Sequence, residues 1–148
     1  MFEPLRPAGV VPRLQARDVA GALRELADAL AQAYGVDADA TAAALQEHLA
    51  TGGCALGHGL ALPHARDGGS SVRIAVGLAP AGLPFVAPDP EPVRVVVAML
   101  SPRDGHAHLE ALAAIGQRFT DPVLRDRLLA QHDAAAIVAL LRWGHTAG

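Results

Sequence analysis

The feature that most restricts the fold is an almost unbroken apolar run, Val-Arg-Val-Val-Val-Ala-Met-Leu, at residues 93–100. Its β-branched residues favour a strand, and the near absence of alternation indicates that this strand is largely buried. A second strand is predicted at residues 72–78, where apolar and polar residues partly alternate. Because five prolines lie between residues 80 and 92, that segment is predicted to be a loop or a broken edge.

Helices are predicted before and after these strands along the chain. Asp18 is a suitable N-cap for a first helix that ends at Gly35, with Val19, Leu23, Leu26 and Leu30 on one face. The other predicted helices run from Asp37 or Asp39 to Ala50, where Gly52-Gly53 stops the helix, then near 106–119, from Asp121-Pro122, and from about Asp133. Residues 1–12 are predicted to be irregular or a single edge strand, and residues 67–69 a turn. This order predicts one α/β or α+β domain over residues 1–148.

Composition excludes several function classes. A net charge of -3 and an aromatic content of 3% argue against nucleic-acid binding. The apolar stretches fall far short of the roughly 20 residues that a membrane span needs, and the first residues do not resemble a signal peptide. All twelve basic residues are arginine, so Schiff-base and P-loop lysine chemistry are excluded. With Cys54 as its one cysteine, the chain is expected to be a cytoplasmic domain.

Residues 52–66 carry the strongest functional signal. Closely spaced glycines precede a short apolar run that ends in Pro63-His64. Glycine permits close backbone approach and positive φ, whereas proline fixes φ and lacks an N–H group. The segment is therefore predicted to be a strand that ends in a presented imidazole. A simpler interpretation is that the ring of His64 only caps a backbone carbonyl.

The chain has seven histidines, at positions 48, 58, 64, 106, 108, 132 and 145, of which His132 and His145 are expected to be peripheral. His108 lies in the first turn of a predicted helix, where N–H groups and the helix dipole favour an anion. The alternative for His108 is a polar residue on the wet face of that helix.

Three chemistries can use such histidines. A zinc site would combine His64 with His106 and His108, although no cysteine pair or HExxH spacing supports it. A hydrolase would need Ser70, Ser71 or Ser101 as nucleophile, and none has a nucleophile-elbow context. Phosphoryl transfer through a phosphohistidine is the third, because an imidazole with a pKa of about 6.5 is a good nucleophile near neutral pH.

Residues 57–65, Gly-His-Gly-Leu-Ala-Leu-Pro-His-Ala, resemble the signature of the EIIA domains of the phosphoenolpyruvate-dependent phosphotransferase system, in the fructose, mannitol and nitrogen-regulatory family. The resemblance continues through residues 84–100, Pro102 and residues 108–112, His-Leu-Glu-Ala-Leu, and covers roughly residues 10–140. It implies an α/β fold with a small mixed sheet flanked by helices. It also implies that His64 accepts a phosphoryl group from a histidine phosphocarrier protein, with His108 beside it.

The resemblance implies further roles in the same site. The family usually carries an arginine sixteen residues before the acceptor, followed by glutamate, and this chain has His48 followed by Leu49. His48 is thus the expected substitute, while Gly57 and Gly59 would allow close backbone approach and His58 is a further candidate. No cofactor or metal is implied. The expected partners are the phosphocarrier and a sugar permease component or regulatory target, with the membrane reached only through a partner. The alternative is a binding module that is not phosphorylated and regulates a transporter or enzyme by contact.

Overall fold

Helices pack on both faces of a six-stranded mixed sheet in this computed structural model, which describes residues 3–51 and 54–142. The helices are α1 (Val19–Tyr34), α2 (Ala38–Thr51), α3 (Gly105–Phe119), α4 (Pro122–Leu129) and α5 (Ala134–Leu140). The strands are β1 (Val10–Val11), β2 (Ala55–Gly57), β3 (Leu60–Ala61), β4 (His64–Arg66), β5 (Arg73–Leu83) and β6 (Val93–Ser101), and a 3-10 turn at Pro7–Gly9 precedes β1. The predicted α/β class is confirmed.

β6 is the strand on which the sheet is organised. It pairs with β5 in antiparallel fashion, and β1 lies parallel to the other edge of β5. On its second edge β6 pairs in parallel with β3 and then with β4, so that Leu60 lies opposite Val95 and His64 opposite Met99. β2 pairs with β3 in antiparallel fashion. The two ends of segment 57–65 therefore lie at different heights along β6.

The two faces of β6 are both buried, which explains its nearly continuous apolar sequence. Val95, Val97 and Met99 pack with residues of α3, α4 and α5 in one cluster. Val96, Ala98 and Leu100 pack with residues of α1 and α2 in another cluster. The predicted buried strand is confirmed, and its burial follows from one layer of helices on each side.

Capping residues define the helix ends as the sequence predicts. Asp18 accepts a hydrogen bond from the N–H of Gly21, and Gly35 ends α1 with a φ of 76°. α3, α4 and α5 begin after Asp104, Asp121 and Asp133, each of which accepts a backbone N–H bond. α2 continues to Thr51, and the predicted stop at Gly52-Gly53 lies outside the described residues. No helix in the described ranges is long and apolar enough to cross a membrane.

Two predicted boundaries are wrong. β5 continues through Pro80 to Leu83, where a loop or broken edge was expected. Regular pairing with β6 is interrupted between Leu78 and Leu83, so the missing N–H of Pro80 removes no ladder bond, and its carbonyl accepts a bond from the Arg94 side chain. His64 begins β4 and does not end a longer strand, because Pro63 cannot donate to the ladder and separates β3 from β4.

Candidate functional site

β4 presents His64 in a defined tautomer. The carbonyl of Pro63 accepts the N–H of Met99, which fixes the backbone just before the histidine against β6. Nδ1 of His64 lies 2.7 Å from the carbonyl oxygen of Leu62. Since a carbonyl can only accept, Nδ1 carries the proton and donates it, and the lone pair of the neutral ring lies on Nε2. The carbonyl cap expected as a simpler interpretation is thus present, and it also orients a nucleophile.

Three imidazoles meet at this point. The ring of His48, from the last turns of α2, lies with its centroid 4.0 Å from that of His64. The ring of His108, from the start of α3, lies 5.2 Å from His64 on centroids. Both pairs are tilted by 52°, so the rings contact one another without stacking in parallel. Sequence positions 48, 64 and 108 are therefore brought together by α2, β4 and α3.

His108 is buried, so the alternative interpretation, a polar residue on the wet face of its helix, is wrong. Its side chain is 4% exposed, and Nδ1 makes a short hydrogen bond with the hydroxyl of Ser101, the fully buried last residue of β6. Burial, then the charge of Arg66, then the rings of His64 and His48 lower the pKa of His108 to about 4. His108 is therefore neutral at physiological pH.

The pKa of His64 is also lowered from its ordinary value. Burial of the ring is the main cause, the hydrogen bond to Leu62 acts in the opposite direction, and His48 and Arg66 add smaller lowering effects. A lower pKa keeps a larger fraction of His64 neutral near pH 7, and only the neutral ring has a lone pair on Nε2. The site thus favours a nucleophilic His64.

A pocket of about 390 Å³ opens beside His48 and His108, the two histidines whose rings contact His64. It is lined by Ala44, Glu47, His48, Ala65, Arg66 and His108. Arg66 was assigned no role from the sequence, and Ser101 was considered only as a hydrolase nucleophile. Alternation along a strand was the available signal for Arg66, since residues two apart share a face and Arg66 follows His64 by two. No sequence pattern predicted the contact of Ser101 with His108, because that contact depends on how the end of β6 packs against the start of α3.

The Gly57–Gly59 end of the segment lies elsewhere. It forms the turn between β2 and β3, and the N–H groups of Arg94 and Val95 donate to the Gly59 carbonyl, near the start of β6. His64 pairs four residues further along β6 than Val95, roughly 13 Å at about 3.3 Å per residue. The turn is held by other contacts: the His58 N–H donates to Asp89 and the His58 carbonyl accepts from Arg125.

The remaining histidines do not join the site. His106 is exposed on α3 and lies 3.4 Å from Glu110, one turn further along the same helix. His132 accepts a hydrogen bond at Nδ1 from Arg13, and His145 lies outside the described residues. No group of three metal-ligating side chains that could hold a metal ion occurs within residues 3–51 and 54–142, so the zinc site proposed from His64, His106 and His108 is not formed there.

The serines and Cys54 are less suitable nucleophiles than His64. Ser70 and Ser71 lie in the connection before β5, outside the pocket lining, and Ser101 bonds His108 from a fully buried position. Cys54 is buried, and this burial raises the pKa of its thiol to about 11, so the reactive thiolate is suppressed. His64 is the group in the described site best prepared for nucleophilic attack.

The fold and sequence have known relatives. The structure is similar to the nitrogen regulatory protein IIA-Ntr of Neisseria meningitidis, with a TM-score of 0.83, 23% identity and coverage of 94% of this chain and 97% of that one. It is also similar to enzyme IIA of the mannitol system of Escherichia coli, determined in a complex with phosphorylated enzyme IIB, with a TM-score of 0.78, 17% identity and coverage of 95% and 98%. The fold is therefore that of the IIA proteins of the phosphotransferase system.

Sequence comparison takes this class to a family. Residues 3–143 match the model of the phosphoenolpyruvate-dependent sugar phosphotransferase system, EIIA 2, and the chain belongs to that family. A nitrogen regulatory protein of Bradyrhizobium diazoefficiens is 31% identical over 139 residues, which cover 91% of this chain and 90% of the relative.

Proposed function

We propose that this protein is a phosphohistidine carrier that accepts a phosphoryl group on Nε2 of His64 from a histidine phosphocarrier protein. It then passes the group to a sugar permease component or acts as a nitrogen-type regulator. The observation that carries this proposal is the 2.7 Å bond from Nδ1 to the Leu62 carbonyl, which leaves the Nε2 lone pair available among three imidazoles. Its cytoplasmic location stays a prediction.

Transfer requires only exchange of one N–P bond for another. The Nε2 lone pair of His64 forms a bond to phosphorus while the bond between phosphorus and the donor's histidine nitrogen breaks, and its electron pair stays on the donor ring. The Nδ1 proton remains on the hydrogen bond to Leu62 while the new bond forms. The protein's contribution is to hold this tautomer and to offer donors to the phosphoryl oxygens.

His108 supplies one such donor if its proton lies on Nε2. At physiological pH the ring is neutral and has a single N–H group, because its pKa is about 4. When the hydroxyl of Ser101 donates to Nδ1 of His108, that N–H group is on Nε2. Ser101 thereby acts as a positioning residue, and His48 provides a second imidazole within contact of His64.

Different relatives support the two possible roles of the phosphorylated protein, regulation and transfer to a permease component. The Bradyrhizobium relative is a nitrogen regulatory protein, and its 31% identity favours a regulatory role. The Escherichia coli mannitol enzyme IIA forms a complex with phosphorylated enzyme IIB, which favours transfer to a permease component. Mixing the phosphorylated protein with cognate IIB-type domains separates the two, since rapid loss of the phosphate indicates transfer and its persistence indicates regulation.

Phosphorylation itself is tested by incubation with phosphoenolpyruvate and the cognate general phosphotransferase proteins. We expect one acid-labile phosphate per chain, located on His64 by mass spectrometry and lost in His64→Ala. His106→Ala is the matched control, because it removes an exposed histidine outside the pocket and should incorporate phosphate normally. Absence of incorporation into the folded wild-type protein would contradict the carrier proposal.

A second candidate function is a binding module that is not phosphorylated and regulates a transporter or enzyme by contact. The observation that favours it is His48, which stands where the family usually has an arginine and lacks the planar fork of donors that a guanidinium offers to a phosphoryl group. The same experiment decides, since this alternative requires that the wild-type protein remain unmodified with its cognate donors.

A further inference from the structure

We propose that Arg66 binds the phosphoryl oxygens on His64, and that it takes the place of the arginine that the family carries where this chain has His48. This inference rests on the proposed function, because it assigns a phosphoryl ligand to the same pocket. In this chain the cation would come from β4, two residues after His64. In the family's usual arrangement it would come from the helix that corresponds to α2.

The position of Arg66 in the fold supports this role. Arg66 and His64 are the two ends of β4, and side chains two residues apart on a strand point to the same face. Ala65, between them, packs in the cluster with α1 and α2 and also lines the pocket beside Arg66. Arg66 pairs with Ser101 of β6, the residue that bonds His108. The pairing therefore brings Arg66 to the end of the sheet where His64 and His108 meet.

The guanidinium of Arg66 is available for a ligand. Arg66 is exposed and lines the pocket, and no residue within 3–51 and 54–142 forms an ion pair or hydrogen bond with its side chain. Other arginines are already paired: Arg73 with Asp67, and Arg24 with two aspartates. Arg66 is also the only arginine among the pocket-lining residues of the described chain.

The field of Arg66 already reaches the site. Its positive charge is the second largest cause of the lowered pKa of His108, after burial, and it also lowers the pKa of His64. A charge that disfavours protonation of both rings will favour a phosphoryl dianion bound to one of them. The same direction of effect keeps a larger fraction of His64 neutral before transfer, and the charge of Arg66 can stabilise the phosphoryl dianion after it.

The remaining donors around His64 do not replace a guanidinium. A neutral imidazole provides one N–H group, whereas arginine provides a planar fork that bonds two phosphoryl oxygens and stays charged at every working pH. Glu47 also lines the pocket and adds a negative charge that a phosphoryl group must meet. A permanent cation at Arg66 offsets this charge, which the neutral ring of His108 cannot do.

The test compares Arg66→Gln, Arg66→Lys and the wild type, with Arg127→Gln as matched control. Arg127 is exposed on α4 and outside the pocket, so its variant has the same change in net charge without the local effect. Phosphoramidate serves as the donor, because it phosphorylates the ring directly: the Nε2–P bond forms, the P–N bond of the reagent breaks, and ammonia leaves. A small donor removes any effect of Arg66 on docking of a protein partner.

We expect Arg66→Gln to slow phosphorylation of His64 by about 10- to 100-fold, as the loss of a hydrogen-bonding charge at a phosphoryl group should. Arg66→Lys should recover part of the rate, and Arg127→Gln should behave as wild type. The pKa of the bound phosphoryl group, followed by ³¹P NMR, should rise in Arg66→Gln because a nearby cation favours the dianion. A purely structural role for Arg66 would leave that pKa unchanged.

A rescue variant completes the test. His48→Arg in the Arg66→Gln background should restore most of the rate if the two positions serve the same phosphoryl group. Equal rates and equal ³¹P titrations for wild type and Arg66→Gln would overturn the inference while leaving the carrier proposal intact. Failure of the wild-type His64 to take up phosphate from either phosphoramidate or the cognate donor would instead overturn the proposed function.

Discussion

His58 and His64 lie in one nine-residue segment, and the fold surrounds them very differently. His64 is partly buried, its ring donates a hydrogen bond to a backbone carbonyl, and it contacts two other imidazoles. His58 is exposed with a φ of 57°, and its described hydrogen bonds are made by its backbone N–H and carbonyl groups, to Asp89 and Arg125. One end of the segment presents an imidazole, and the other is a tight turn that aligns β3 with β6.

This difference shows that a sequence signature can combine residues with unrelated tasks. The glycines of the turn have φ values of 84° and 76°, which L-residues rarely adopt, and they bring the chain close to Asp89 and Pro92. The close backbone approach expected of Gly57 and Gly59 is therefore present, but its described contacts are with those residues.

The largest expected effect is a loss of stability in acid that comes from the buried histidines around His64. The folded protein holds His108 with a pKa of about 4, whereas the unfolded chain takes up a proton near the ordinary value of 6.5. The unfolded state therefore binds more protons between these values, and the free energy of unfolding should fall by about 3 kcal/mol as the pH drops through this window. The lowered pKa of His64 adds a loss of the same sign.

Urea denaturation at about pH 7 and about pH 4.5 measures this loss. His108→Asn, which keeps a polar group near Ser101 but does not titrate, should have a clearly smaller difference between the two conditions. If His108→Asn had the same pH dependence as the wild type, His108 would not be the cause of the stability lost in acid.

The next effect concerns the turn. Gly57→Ala places a Cβ 2.9 Å from a carboxylate oxygen of Asp89 at a φ of 84°, so we expect a loss of about 2 kcal/mol in the free energy of unfolding. Because the described contacts of the turn do not include the three site histidines, phosphorylation per folded molecule should not change. Chemical denaturation and the phosphoramidate assay on one preparation check both statements. A slower reaction at unchanged stability would make the turn part of the site.

The smallest effect has the opposite sign. His58→Gly relieves a left-handed residue, and after subtraction of the greater backbone entropy of glycine in the unfolded chain we expect a gain of about 0.5 kcal/mol. The shift in the denaturation midpoint measures this gain, and the rate of His64 phosphorylation should equal that of the wild type. A lost rate in His58→Gly would show that this imidazole takes part in transfer despite its distance.

Much of the fold could be predicted from local sequence. The limits of α1 follow from Asp18 and Gly35, and the start of α4 follows from Asp121-Pro122, because these residues satisfy end groups of the helix without help from distant parts. The extension of β5 beyond Leu78 could not be predicted, because it depends on an irregular pairing with β6 that spares Pro80 from donating. Local propensity describes a residue's own backbone, and it does not report which strand lies beside it.

The site was predictable only in part, for a related reason. The sequence indicated His48, His64 and His108, and the fold brings these three rings together. The contact of Ser101 with His108 could not be predicted, because it depends on how the end of β6 meets the start of α3. Strand alternation places Arg66 on the face of His64, but that pattern predicts a shared face only once β4 is known to be a strand.

β6 sets the position of β4 along the sheet through its residues Met99 and Ser101, which pair with His64 and Arg66. A slip of one residue between β4 and β6 would turn His64 to the opposite face of the sheet and away from His108, since neighbouring residues of a strand face opposite sides. Segment 68–72 connects β4 to β5 outside this pair of strands, whereas segment 84–92 contains Asp89, which accepts the His58 N–H bond that holds the turn between β2 and β3. During divergence, insertions and deletions are thus expected to accumulate in the first of these connections, while the spacing from residue 60 to residue 66 stays constant.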